Sequence, residues 1–174
     1  MHPQNRFWTV MEEIFGEKFE YKNNGMKADV AERKSKAQKL PATPDLPAAI
    51  TTHTAKNIHA AIAERREFLL RHNLAIWDVL ASCEITGAAD STIKNAVPNN
   101  FTEILEGSKI QQVFCTGKTA FNLWKKHCAK VYEERYNLTV HCLPSTSPAN
   151  VQWGLEKLVG KYRNISFLQN ASFF

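Results

Sequence analysis

Apolar positions along the chain fall at helical spacing in some stretches and in short continuous runs in others. Phe7, Trp8, Met11, Ile14 and Phe15 recur at three- and four-residue steps, and Gly16 stops that run. A polar turn at Lys22–Gly25 precedes a second helical stretch through Ala28, Ala31 and Glu32. From Ile58 to His72 the residues Ala61, Arg65, Phe68, Leu69 and His72 share one side of a further helix, and Asn73 suits its C-terminal turn. Ala120, Leu123, Trp124, His127, Cys128 and Val131 mark the clearest helix, and a closing helix covers Val151, Leu155, Leu158 and Tyr162. Three runs, Leu74–Leu80, Ile110–Cys115 and Leu138–Leu143, are continuously apolar, the pattern of strands covered on both faces.

Strands alternating with helices predict an α/β fold with right-handed crossovers and a parallel sheet. In such sheets ligands bind beyond the carboxyl ends of the strands, so the loops after Leu80, Cys115 and Leu143 are the ones to inspect. Residues 34–58 differ in composition: Pro41, Pro44, Pro47 and two Thr pairs read as an exposed insertion. The flanking stretches Ala31-Glu32-Arg33-Lys34 and Ala63-Glu64-Arg65-Arg66 are alike. Either one ancestral helix was split there, or a common helical composition recurs by chance. The expected organisation is a single domain, residues 1–174, with an inserted segment at about 34–60.

The size of the chain agrees with that organisation. At 174 residues it is long enough for one domain to bury roughly 70% of its unfolded surface. The hydrophobic share is 44% and the charged share 22%, which excludes wholesale disorder. No apolar run approaches the ~20 residues that span a bilayer, and no secretory signal is visible after Met1, so no membrane partner is expected. Twenty-two Lys and Arg against 17 Asp and Glu give a formal charge of +5, compatible with a polyanion and weak as evidence for one. Cys83, Cys115, Cys128 and Cys142 form no Cys-x-x-Cys pair and the six histidines show no ligand spacing, so no metal is expected. Three of the cysteines sit in or beside apolar runs and read as small reduced core residues, in a reducing compartment.

Three loops could carry chemistry. Cys115-Thr116-Gly117-Lys118-Thr119 suggests a nucleotide P-loop, but Gln112 stands where that motif needs a glycine. A strand–Gly–helix junction still offers amides for one phosphate; the alternative is a tight turn capped by Gly117. In Leu143-Pro144-Ser145-Thr146-Ser147-Pro148-Ala149-Asn150, two prolines stiffen the loop, and its hydroxyls either bond phosphate oxygens or cap the next helix. After the first predicted strand, Ser82–Asn100 reads as a long polar loop containing Gly87, Asp90 and Asn95. Asp78, inside the apolar run before it, is either a structural acceptor or a pocket residue. No Gly-x-Ser-x-Gly and no dinucleotide fingerprint is present.

Together the runs His2-Pro3-Gln4-Asn5-Arg6-Phe7-Trp8, Trp77-Asp78-Val79-Leu80, Gly87–Ile93, Thr116-Gly117-Lys118-Thr119-Ala120 and Leu143–Asn150 resemble one family. It is the hypoxanthine-DNA (deoxyinosine) glycosylase branch of the uracil-DNA glycosylase superfamily. Asn-Arg-Phe-Trp is shared with the mismatch-specific uracil branch; Leu-Pro-Ser-Thr-Ser-Pro-Ala-Asn points to the hypoxanthine branch. The resemblance covers most of the chain outside residues 34–60.

The resemblance implies a three-layer α/β sandwich with a short parallel central sheet. It also implies a monofunctional glycosylase that flips a deaminated nucleotide out of the duplex and hydrolyses its N-glycosidic bond, with no cofactor and no metal. By similarity Asn5 is the catalytic residue, Phe7, Trp8 and Asp78 belong to the base pocket, and Gly117, Lys118, Thr119, Ser145 and Ser147 hold DNA phosphates. The plain reading of Asn5 is an N-cap for a helix starting at Arg6, and both roles can coexist. A monomer is expected, in the cytoplasm with the nucleoid or in a nucleus.

Two departures stand out. Leu143 occupies the place where other branches carry a His or Asn that binds the leaving base. The family also has a strand and a Gly/Pro/Ser-rich loop before the His-Pro run. This chain is therefore expected to lack the first strand, with reduced stability and impaired or absent excision. Other readings are a non-catalytic DNA-binding remnant of the same fold and a nucleotide-binding interaction domain using the Gly117 turn.

Overall fold

A computed structural model describes residues 4–21, 48–86 and 90–170. The helical stretch expected near Ala28–Glu32, residues 34–47 of the expected insertion, and Gly87 lie outside the described residues. The chain forms two compact units, Met1–Ala75 and Ile76–Phe174.

In the first unit, helix α1 (Phe7–Phe15) buries Phe7 and Met11 of the expected apolar face together with Val10, while Trp8, Ile14 and Phe15 are half-buried. Gly16 ends it with φ +69, a left-handed conformation that glycine adopts without a Cβ clash. Glu12 is buried on the same face because its carboxylate accepts the Phe19 amide at 2.8 Å. Helix α2 runs from Ala48 to Arg71. Its start corrects the sequence reading, which began the helix at Ile58. Pro41, Pro44 and Pro47 all precede Ala48, and neither Gly nor Pro interrupts residues 48–71.

The core of this unit is aromatic. Phe68 is fully buried, with the rings of Phe15, Phe19 and Trp8 edge-on at 5.3, 5.2 and 6.4 Å. The Arg65 guanidinium lies 5.3 Å from the Trp8 ring centre and 5.2 Å from that of Phe19. Glu64 accepts the amides of Glu20 and Tyr21, which ties the segment after α1 to α2. At the end of α2, Asn73 takes φ +47, its amide reaching the Leu70 carbonyl while that of Leu74 reaches Leu69. This is the αL termination expected of Asn73.

In the second unit β1 (Leu80–Glu84) pairs antiparallel with β2 (Lys94–Pro98). A short helix α3 (Thr102–Glu106) follows. Then come β3 (Gln112–Thr116), α4 (Lys118–His127), α5 (Ala129–Tyr132) and β4 (Thr139–Leu143). β3 and β4 are parallel, in register from Gln112 opposite Thr139 to Thr116 opposite Leu143. α4 and α5 supply the crossover that a parallel pair needs. Helix α6 (Leu155–Asn170) closes the described chain. Phe101, Leu105, Cys115, Trp124, Cys128, Tyr132 and Leu138 form the core against which Val113 and Val140 of the sheet pack.

The fold is thus mixed α/β with a parallel pair, and three expectations need correction. Leu74–Val79 is not a strand: pairing begins at Leu80, and Trp77 is 60% exposed. The segment Ser82–Asn100, read as a loop, contains most of a hairpin instead. The cause is proximity along the chain, since Lys94–Pro98 reaches Leu80–Glu84 by closing a short loop, whereas joining β3 would need a long crossover. Finally, α6 starts at Leu155 rather than Val151, which is 84% exposed in the turn before it, while Leu158, Tyr162 and Ile165 are buried.

Candidate functional site

The register of β3 and β4 decides which loops meet. Thr116 and Leu143 are the last partners, so the two strands end together and their loops leave side by side. The Gly117 amide then donates to the Leu143 carbonyl at 2.8 Å, extending the ladder one residue into the loop. Gly117 has φ +114 and ψ 155, a conformation open in practice only to glycine. A Cβ added there would meet the Ser145 Cβ at 3.2 Å. Gly117 is therefore where the two candidate phosphate loops pack backbone to side chain.

Lys118 begins α4 directly after this turn, and the first intrahelical bond runs from the Phe121 amide to the Gly117 carbonyl, 3.1 Å. The amides of Lys118, Thr119 and Ala120 precede that bond, and no side chain caps the Gly117 position. With the positive end of the helix dipole and the exposed ammonium of Lys118, the corner is electropositive. Thr119 is half-buried beside it.

Opposite it, Leu143–Asn150 is a chain of side-chain-closed turns. Ser145 Oγ accepts the Ser147 amide at 3.2 Å, and Ser147 Oγ accepts the Ala149 amide at 3.3 Å. Asn150 Nδ2 donates to the Ser145 carbonyl at 2.9 Å and the Asn150 amide to the Ser147 carbonyl at 3.0 Å. Thr146 is buried at the centre. The expectation that these hydroxyls cap the next helix is corrected: α6 starts only at Leu155, and Ser145 and Ser147 turn their own loop. From α6, the Tyr162 hydroxyl donates to the Pro144 carbonyl at 2.7 Å. Burial holds that phenol well above its usual range, so it stays a donor.

Asn5, Phe7 and Trp8 lie in the first unit. Asn5 Oδ1 accepts the Phe7 amide at 2.9 Å, closing a turn just before α1. The expected N-cap role is corrected by one residue: α1 begins at Phe7, and the Arg6 carbonyl takes its first intrahelical bond, from the Val10 amide. Phe7 is buried, its ring edge-on to Trp8 at 5.1 Å, and Trp8 is half-buried in the aromatic core. Asp78 lies in the second unit, exposed rather than embedded in a strand. Its backbone carbonyl, not its carboxylate, is the acceptor there, taking Asn99 Nδ2 at 2.8 Å.

Sequence reasoning missed two features. Tyr162 was assigned to the buried side of a helix, with nothing in its spacing to give its hydroxyl a partner. On the strands, the His141 ring stacks on Phe114 at 4.8 Å and meets Gln112 Oε1 at 2.7 Å. Among the described residues, no group of three or more His, Cys, Asp or Glu could hold a metal ion, and no helix is long and apolar enough to cross a membrane. Comparison with protein-family models, with curated proteins and with solved structures finds no match to this chain.

Proposed function

We propose that this protein is a DNA glycosylase of the uracil-DNA glycosylase kind. It would hydrolyse the N-glycosidic bond of deaminated bases, above all hypoxanthine in deoxyinosine and also uracil. One observation carries the reading: the two loops that resemble phosphate-holding motifs abut, Gly117 bonding Leu143 and packing on Ser145. Together they present a helix start, a lysine and two loop serines, the donors that grip a sugar–phosphate backbone without reading sequence. On this reading β3, β4 and their crossover belong to a three-layer sandwich whose parallel strand ends face DNA.

The chemistry follows from the resemblance. The flipped nucleotide loses its base to water through a positively charged sugar-like transition state, and the carboxamide of Asn5 orients the water or stabilises the departing base. Lys118 supplies charge, and Gly117, Thr119, Ser145 and Ser147 supply neutral donors. No metal or cofactor takes part in this scheme. A second reading, a DNA-binding remnant without catalysis, draws on Asn5 Oδ1 already serving the Phe7 amide.

Binding separates this proposal from a nucleotide-binding domain. The protein should hold a duplex carrying an abasic-site analogue, with an affinity that falls steeply as salt rises. Lys118→Ala should reduce the slope of log K against log salt by about 1. Preference for free nucleotides with no salt dependence would reject the DNA reading.

A further inference from the structure

The loop Leu143–Asn150 has an anchor outside itself. Tyr162 is wholly buried, yet it places its hydroxyl 2.7 Å from the Pro144 carbonyl, at the first bend of the loop. Pro144 precedes Ser145, which packs against Gly117 and whose Oγ and carbonyl close the next two turns. One bond from α6 therefore fixes the residue from which the loop is built outward. A buried phenol is usually satisfied by whatever acceptor is near, but this one meets the backbone of a segment with no regular secondary structure.

We infer that Tyr162 is a positioning residue for the DNA backbone: it holds the Ser145–Ser147 turns in their binding geometry before DNA arrives. The inference rests on the DNA-binding reading of these loops. The physical reason is the cost of ordering. A loop already held in its bound shape loses little conformational freedom on binding, whereas one released at Pro144 must be ordered at the expense of affinity. Pro144 and Pro148 restrict the loop locally, and Tyr162 fixes its orientation relative to β4. Tyr162 itself touches no solvent and so makes no phosphate contact.

Tyr162→Phe removes only the hydroxyl. Its affinity for an abasic-analogue duplex, measured well below the unfolding temperature, should fall about five- to tenfold, the worth of one good hydrogen bond. The salt slope should stay that of the parent, because no phosphate contact is lost. Leu105→Ala, a core variant away from the loop, supplies the comparison: it should lose stability while its folded molecules bind like the parent. Should Tyr162→Phe not fold, Asn150→Ala decides by loosening the same loop from its internal clamp, with the same expectation of weaker binding at unchanged slope. Parent-like affinity in the deciding variant, or a reduced slope, overturns the inference and leaves the DNA reading intact. A parent protein that shows no salt-dependent binding to DNA overturns both.

Discussion

Gly117 and Ser145 lie so close that a β-carbon added to the glycine would sit 3.2 Å from the Cβ of the serine. These residues are 28 positions apart in the chain, and the parallel register of β3 and β4 brings them together. The contact makes two strand-end loops into one surface.

The first prediction follows from that contact. Gly117→Ala must accept φ +114, where side chains are strained, and must also push Ser145 away. It should cost roughly 1–3 kcal/mol of stability in a denaturant titration. Folded molecules should also bind DNA more weakly, because the Ser145 turn is displaced. Parent-like stability and affinity would show that the close approach is unimportant.

The second prediction separates the two roles of Asn5. Asn5→Asp keeps an oxygen to accept the Phe7 amide and places a negative charge at a helix start, so stability should hold. Asn5→Ala loses the acceptor of the Phe7 amide and should cost about 1 kcal/mol, the net worth of one hydrogen bond. Both lack the carboxamide, so excision should fall about 10²-fold or more in each, read as strand scission at deoxyinosine after alkali. Activity that tracks stability alone would reduce Asn5 to its bond with the Phe7 amide.

The parts of this site legible in the sequence were those set by local rules. Gly16 and Asn73 terminate helices as residue type predicts; the apolar run at 138–143 contains β4, and the run at 110–115 covers β3 except its last residue, Thr116. Long-range choices were not legible. The run Leu74–Leu80 looks like a buried strand, yet pairing starts only at its last residue, because strand pairing depends on which partner can be reached. The bond from Tyr162 to Pro144 was hidden for a similar reason: helical spacing reports the side that is buried and not the polar atom waiting there.

The third prediction concerns thiols. Cys115 and Cys128 are buried as expected, while Cys83 is exposed and so, against the expectation from its apolar run, is Cys142. Burial, with smaller contributions from neighbouring Cys142 and Cys128, pushes the Cys115 thiol up to about 11. At pH 8 only about one Cys115 in a thousand is then a thiolate, the form that reacts. An alkylating reagent should modify Cys83 and Cys142 in the native protein and reach the other pair only after unfolding. Fast modification of Cys115 would contradict its placement in the core.

The fourth prediction is the acid response of the first unit. A hydrogen bond from Arg71, helped by His72 and opposed by burial, lowers the pKa of Glu17 below its ordinary 4.5. A depressed folded-state value contributes stability that is present above 4.5 and lost as pH falls through the lower value. Glu17→Gln should flatten the acid limb of the unfolding midpoint plotted against pH. The effect should be small, since both carboxylate and guanidinium are partly exposed. An unchanged acid limb would remove Glu17 from the account.

The central claim is that this protein frees a deaminated purine from DNA with the help of an amide side chain. Free hypoxanthine, measured by mass after incubation with a deoxyinosine duplex, tests it most directly. The account predicts release by the parent chain and about 10²-fold less from Asn5→Asp at equal DNA occupancy. Folded parent protein that saturates the duplex and releases no base, or an Asn5→Asp variant that releases it equally well, would contradict it.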